Sequence, residues 1–343
     1  MKKIISLLMC IFVLVFTFSV AFFPASAVSI KEGKDALIDQ WRFGDAFGFD
    51  YRFYSPVKYS DDTTKYPLVV ILHGRTSGSK EGEQLTTSDF HLWSSEEYQS
   101  RFKDSGGAYI LMPRTPGGDV NTWTNTAYHD KLINLIDSFC AAHSVDTERI
   151  YLGGWSMGAA GAISVASKNS SKFAALLVMA PFDSVSQGQI DALKNTPIWL
   201  ITCTQDITAS YHTFAKPFWN KVRDTSNVPS HCRITTFDKY NYYDASHHLV
   251  HHAVAYDLLN QPGDCGMKTE TANDSRIYTS ESESIITWLS EHRLGQTEEE
   301  TAPCRCECHS EKGWTKFIWA IKCLLYRIFS PAKRVCACGA NHW

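Results

Sequence analysis

Residues Gly154-Trp155-Ser156-Met157-Gly158 constrain this chain more than any other stretch. The apolar run Ile150-Tyr151-Leu152 leads into them, and the small, helix-compatible run Ala159-Ala160-Gly161-Ala162-Ile163 leads out. That order predicts a strand, a sharp turn and a helix, with a serine at the apex. Glycines two residues to either side let strand and helix approach closely, and the turn holds the serine in a strained backbone conformation. A hydroxyl is a poor nucleophile at neutral pH. Chemistry at such a serine requires exposure, a base to activate it and donors for the oxyanion it creates.

Residues 28–294 alternate strand and helix signals around that turn. Tyr51-Arg52-Phe53-Tyr54 reads as an early strand. Leu68-Val69-Val70-Ile71-Leu72 is a continuous aliphatic run, as expected of a strand buried on both faces. Ala108 to Met112 is another, ended by Pro113. Leu132, Ile136, Phe139 and Cys140 recur at helical spacing. After the serine, Ala174 to Met179 and Ile198 to Ile201 read as strands, Arg233 to Phe237 as the last strand, and Ile285, Ile286 and Leu289 as a closing helix. This alternation predicts an α/β fold, a mostly parallel central sheet with helices on both faces. There is no internal repeat.

The chain has 343 residues, 44% of them hydrophobic, enough for one large domain with an appendage. Its formal net charge of −3 gives no indication of a nucleic-acid partner. Lys2 and Lys3, the apolar stretch Ile4–Phe23 and then Ala25-Ser26-Ala27 form a secretory signal with an A-x-A cleavage site over residues 1–27. The alternative is an uncleaved membrane anchor. Cleavage removes two lysines and shifts the formal charge to −5, and it leaves ten cysteines. Cys140, Cys203, Cys232 and Cys265 are scattered through the body; secretion permits disulfides, and four cysteines allow three pairings. Cys203, in an apolar strand-like run, reads equally well as a buried thiol. Gly295 to Pro303 reads as a linker.

Residues 304–343 form a distinct Cys-rich tail. Cys304, Cys306, Cys308 and His309 open it, and Cys336, Cys338 and His342 close it. These are ligand types for a structural zinc, with disulfides as the rival arrangement. Between them Trp314, Phe317, Ile318, Ile321, Leu324, Leu325 and Ile328 follow helical spacing beside Lys316, Lys322 and Arg327, the pattern of a basic amphipathic helix for a membrane interface. The alternative is a small stapled domain whose helix packs on itself or on the main body.

Three further features surround the serine. His73-Gly74 follows the 68–72 strand directly, where chemistry collects in a parallel sheet. A backbone N–H of Gly74 or Arg75, with that of Met157, is positioned to form an oxyanion hole. His73 itself reads as orienting this loop rather than as the base. Asp206 lies just past the 198–203 strand and suits the acid that holds an imidazole in its productive tautomer; Asp183, past the preceding strand, is the alternative. Ser246-His247-His248 follows the last expected strand and supplies the base, His247, with His248 as alternative. His248 and His252 also stand at i, i+4, a zinc spacing, but without the glutamate of the H-E-x-x-H pattern. Trp93, Trp123, Trp155 and the tyrosines 240, 242 and 243 fall in expected loops or near the serine and suit stacking on sugars or phenolic groups.

Tyr66-Pro67 through His73-Gly74, the loop 74–82, Gln84-Leu85, Pro113-Arg114, Trp123 and Gly153–Gly158 together resemble secreted α/β-hydrolase esterases of the feruloyl-esterase and polyhydroxybutyrate-depolymerase-like group, and prolyl-oligopeptidase-like hydrolases. The resemblance covers roughly residues 45–294. It implies the α/β-hydrolase fold and Ser–His–Asp acyl transfer by Ser156, His247 and Asp206, with no cofactor. The implied substrate is an ester, on plant cell-wall carbohydrate or a polyester. Arg75-Thr76-Ser77 departs from the glycine-rich loop usual in these enzymes. A serine peptidase and a non-catalytic binding protein on the same scaffold are the alternatives. The tail is similar to those of secreted proteins of anaerobic Gram-positive bacteria, which implies retention at the cell surface.

Overall fold

The computed structural model describes residues 35–57, 63–75, 82–102, 104–115, 123–225, 232–238, 267–272, 274–278 and 284–295. The chain divides into two compact units, Met1–Leu294 and Gly295–Trp343; the elements below belong to the first. The signal segment, the tail cysteines and histidines, Cys265, the tyrosines 240, 242 and 243, and both His247 and His248 lie outside the described residues.

The aliphatic runs form the middle of one ten-stranded sheet in the order β1-β2-β4-β3-β5-β6-β7-β8-β9-β10. The strands are β1 Arg42–Ala46, β2 Phe49–Tyr54, β3 Tyr66–Leu72, β4 Tyr109–Arg114, β5 Val145–Trp155, β6 Ala175–Met179, β7 Ile198–Cys203, β8 Arg233–Phe237, β9 Lys268–Thr271 and β10 Asp274–Tyr278. From β4 to β8 every neighbour is parallel, while β1, β2, β9 and β10 pair antiparallel at the two margins. Every residue of β3, β6 and β7 is buried. A parallel strand covered on both faces must be apolar throughout, and this is why these strands are continuous in the sequence.

The two faces carry separate cores. On one, Leu68, Val70 and Leu72 pack with Leu132, Leu135, Ile136 and Phe139 of α1 (Thr126–Ala142), Ile163 and Val165 of α2 (Met157–Lys168), Ile190 of α3 (Gln187–Ala192) and Phe218 and Val222 of α4 (Lys216–Asp224). On the other, Val69 and Ile71 pack with Leu85, Phe90 and Trp93, and with Ile286, Trp288 and Leu289 of α5 (Ile285–Ser290). Three of these helices, α1, α3 and α5, start on side-chain caps: Asn125 accepts from the Ala127 N–H, Ser186 and Gln189 form a reciprocal box, and Ser284 accepts from the Thr287 N–H.

Three details differ from expectation. Pro113 does not end its strand but sits inside β4, opposite Tyr51 of β2. The ladder between β3 and β4 stops at Leu111, so the missing N–H of Pro113 costs nothing on that side. Arg233–Phe237 is not the last strand, and β1 was not anticipated at all. The margin strands β1, β9 and β10 read Arg-Phe-Gly-Asp-Ala, Lys-Thr-Glu-Thr and Asp-Ser-Arg-Ile-Tyr, too polar to register as buried strands.

Candidate active site

The serine turn has the expected form. Ser156 lies between β5 and α2 with φ 58° and ψ −119°. Such a backbone costs a non-glycine residue about 1–3 kcal/mol. It is held from both sides. The Ser156 N–H donates to Met179 O at 2.9 Å, and Ser156 O accepts from Ala159, Ala160 and Phe182 N–H at 3.0, 3.2 and 3.3 Å. The two flanking glycines are required by space. A Cβ on Gly154 would lie 2.2 Å from Gly158 O, and one on Gly158 would lie 2.0 Å from Leu72 O and 2.6 Å from His73 O. The first turn of α2 therefore presses against the ends of β5 and β3. Met157 is the first helical residue, so its N–H has no i−4 acceptor within α2 and stands at the positive end of the helix dipole. Ser156 is 6% exposed, so the turn presents it in a recess rather than on a rim.

At the end of β3, His73 is fully buried. Its Nε2 accepts the Thr115 N–H at 3.1 Å, with Thr115 Oγ1 at 3.3 Å, and its Nδ1 lies 2.6 Å from Gly74 O. An amide N–H can only donate, so Nε2 is the bare nitrogen and the ring proton is on Nδ1. Burial lowers the His73 pKa to about 4, Arg114 adds to the lowering, and the Gly74 carbonyl, Asp50 and Glu83 oppose it. The ring is neutral at ordinary pH. The Trp123 indole donates to His73 O at 3.1 Å, and the Trp155 ring lies so close to Gly74 that a Cβ there would fall 2.6 Å from it. Beside Thr115, the Arg114 guanidinium holds Asp50 through Nε at 2.7 Å and through its NH2 group, tying β4 to β2.

Asp206 follows β7 and is 4% exposed. Its Oδ1 accepts the Thr208 and Ala209 N–H groups, both at 2.8 Å, which fixes the carboxylate. Asp183 is exposed, and its Oδ1 accepts from the adjacent Ser184 N–H. The sheet puts Ser156 and Asp206 on one edge: Trp155 pairs with Met179, and Met179 with Ile201. Their parent strands, β5 and β7, lie two strand spacings apart in the sheet, about 10 Å. The described chain leaves β8 at Asp238 and resumes at Met267, next to Lys268, which pairs with Thr236 at the same edge. His247 and His248 fall within that interval in sequence.

The tryptophans expected to line a cleft do not do so. Trp93, Trp123 and Trp155 are 1%, 1% and 7% exposed; Trp93 belongs to the core, and Trp123 and Trp155 pack on the His73-Gly74 turn. The exposed apolar groups at this edge went unnoticed in the sequence. Phe182 is 40% exposed, its backbone is bonded to Ser156 O, and its ring packs on Phe214 with centroids 5.4 Å apart. Ile207, beside the acid, is 95% exposed. Cys203 is buried at the end of β7, and burial pushes its thiol up to about 11. Among the described residues no group of three His, Cys, Asp or Glu side chains is arranged to hold a metal.

Comparison with known proteins bears on this geometry. A crystal structure of a thermostable esterase superposes with a TM-score of 0.51 at 20% identity, covering 64% of this chain and 59% of that one. The chain has the α/β-hydrolase fold. The family model described as PET hydrolase-like matches residues 127–257, a stretch that holds Ser156, Asp206, His247 and His248. A bifunctional acetylxylan esterase/xylanase of Neocallimastix patriciarum is 26% identical over 196 residues, 56% of this chain and 26% of that protein. Lipase 1 of Moraxella sp. (strain TA144) is 26% identical over 164 residues, 45% of this chain and 46% of that protein. This chain thus spans less than half the length of either curated relative.

Proposed function

We propose that the chain is a secreted serine hydrolase that cleaves carboxylic esters through an acyl-enzyme. The observation that carries this reading is the left-handed Ser156 on the β5–α2 turn, on the same sheet edge as the buried, backbone-held Asp206. Strain of that kind persists only where the surroundings enforce it, and here it sets the serine at a helix N-terminus. The matches to esterase and lipase sequences support the same reaction class.

In this mechanism His247, or alternatively His248, takes the proton of Ser156 as Oγ attacks the ester carbonyl. The oxyanion is received by the Met157 N–H and a second N–H from Gly74 or Arg75. Asp206 holds the imidazole in the tautomer that accepts from Ser156 and stabilises the imidazolium. The imidazolium then protonates the departing alcohol. Water repeats the cycle on the acyl-enzyme and releases the acid.

Phe182, Phe214 and Ile207 supply an apolar surface beside the serine, suited to an aryl or alkyl group next to the scissile ester. Feruloyl groups on cell-wall carbohydrate and aromatic polyesters both carry such a group. The full chain should hydrolyse nitrophenyl esters and at least one feruloyl or polyester substrate; inactivity on the whole panel would end this reading. Phe182→Ala should raise KM about 5- to 10-fold for aryl and long-chain esters, from the lost apolar contact, and leave acetyl esters nearly unchanged. Equal effects on both classes would remove Phe182 from the substrate contact.

Secretion rests on residues 1–27. The secreted protein should begin at Val28 on N-terminal sequencing, and a chain still beginning at Met1 would point to the anchor instead.

A further inference from the structure

We propose that the groove between α3 and α4 is a second binding site, which holds the chain of a neutral polysaccharide away from the serine. Its link to turnover rests on the ester-hydrolase reading above; its ligand does not.

The groove encloses about 500 Å³ and is lined by Gln187, Asp191, Lys194, Lys221, Asp224 and Thr225. Its floor is firm. Ile190 and Leu193 under one wall, and Phe218 and Val222 under the other, belong to one buried cluster. The two walls are also tied to each other. Gln187 Nε2 donates to Asp191 Oδ1 at 2.9 Å and to Thr225 Oγ1 at 3.1 Å. Thr225 Oγ1 donates to Lys221 O at 2.7 Å, and Lys221 Nζ donates to Val185 O. These bonds fix the polar groups before a ligand arrives, which lowers the ordering cost of binding.

Hydrogen-bonding capacity is left over. Asp191 meets Gln187 through Oδ1, and Asp224 meets Arg223 through Oδ1 at 3.0 Å, so each carboxylate keeps Oδ2 for a ligand. Lys194 is exposed and makes no bond among the described residues. The carboxylates can only accept and the ammonium groups can only donate. A ligand that satisfies both kinds carries donors and acceptors side by side, as a run of sugar hydroxyls does. A polyester chain presents carbonyl and ether oxygens without donors. It would desolvate Asp191 and Asp224 and leave them unpaired. The two carboxylates and two ammonium groups cancel in charge, so the groove offers a polyanion no net attraction.

The groove lies within reach of the serine. The Phe182 N–H donates to Ser156 O at 3.3 Å, and Phe182 and Gln187 are five residues apart, at most about 18 Å of chain. A few sugar units span that distance. A polysaccharide with its acyl group at Ser156 therefore reaches the groove with its own backbone.

The test uses the full chain and two neutral probes, xylohexaose and cellohexaose, with oligogalacturonate as the anionic comparison. At least one neutral probe should bind with a Kd of about 0.1 to 1 mM, changed less than about 2-fold between low and high salt. Asp191→Ala combined with Lys194→Ala should weaken that binding about 10-fold or more. Both side chains are exposed, so the melting temperature should stay within a few degrees of the parent. No binding of either neutral probe, unchanged binding in the double variant, or tighter binding of oligogalacturonate that fades with salt would overturn the proposal. On esters, the double variant should raise KM about 5- to 10-fold for a feruloylated polysaccharide and leave nitrophenyl-ester kinetics within about 2-fold of the parent. Equal effects on both substrates would overturn the link between groove and turnover. A parent that binds a neutral probe but cleaves no ester would fault the role of Ser156 and leave the groove standing.

Discussion

Ser156→Ala should reduce kcat on nitrophenyl esters by about 10⁴- to 10⁶-fold, while the melting temperature stays within a few degrees of the parent. The large effect follows because no other group would carry the acyl intermediate. The small one follows because the Ser156 side chain does not cap α2; its backbone holds the turn, through Met179 O on one side and the Ala159, Ala160 and Phe182 N–H groups on the other. Ser156→Gly should be as inactive as the alanine variant and yet more stable by about 1 kcal/mol. Glycine accepts φ 58° without strain, and that relief exceeds its extra unfolded-state entropy. A rate loss under 10-fold in Ser156→Ala would remove the serine from the chemistry.

Asp206→Asn is expected to cost about 10³- to 10⁴-fold in kcat, with the fold retained. The amide oxygen can still accept the Thr208 and Ala209 N–H groups, so the turn after β7 survives, but the charge that stabilises an imidazolium is lost. Asp183→Asn serves as the comparison. Its carboxylate is exposed and contacts the neighbouring Ser184 N–H, so its kcat should stay within about 2-fold of the parent, as for a surface substitution remote from the chemistry. Steady-state kinetics on the two variants decides between them, and the reverse ranking would move the acid from β7 to β6.

The contrast between these two aspartates marks where the sequence stops being informative. Both follow apolar strands, and spacing alone does not separate them. Burial and backbone donors do, and these depend on how the chain after β7 folds back on itself. The central strands were legible because burial on both faces requires unbroken aliphatic runs; Leu68–Leu72 and Ile198–Ile201 have no other reading. The polar margins β1, β9 and β10 were not, since a margin strand needs only partial cover. Pro113 looked like a terminator because its pairing on one side only is a property of the sheet. The tryptophans were misread for a related reason: an aromatic near a serine in sequence serves as a wall as readily as a surface. Phe182 was missed because it follows β6 rather than the serine motif, and reaches Ser156 only through a backbone bond across the sheet. Thr115 is the extreme case. It meets His73 Nε2 through an N–H that every residue but proline possesses, so nothing in its identity announces it. The base was expected only to within a segment, with His247 preferred and His248 the alternative, because four histidines crowd that stretch, and both lie outside the described residues.

The most direct test is to treat the full chain with a fluorophosphonate and locate the adduct by peptide mass spectrometry. A single phosphonyl group on Ser156, formed at a rate that falls steeply in Asp206→Asn, is the expected result. An adduct on a different residue, or none while ester hydrolysis continues, would contradict the assignment of Ser156 as the nucleophile.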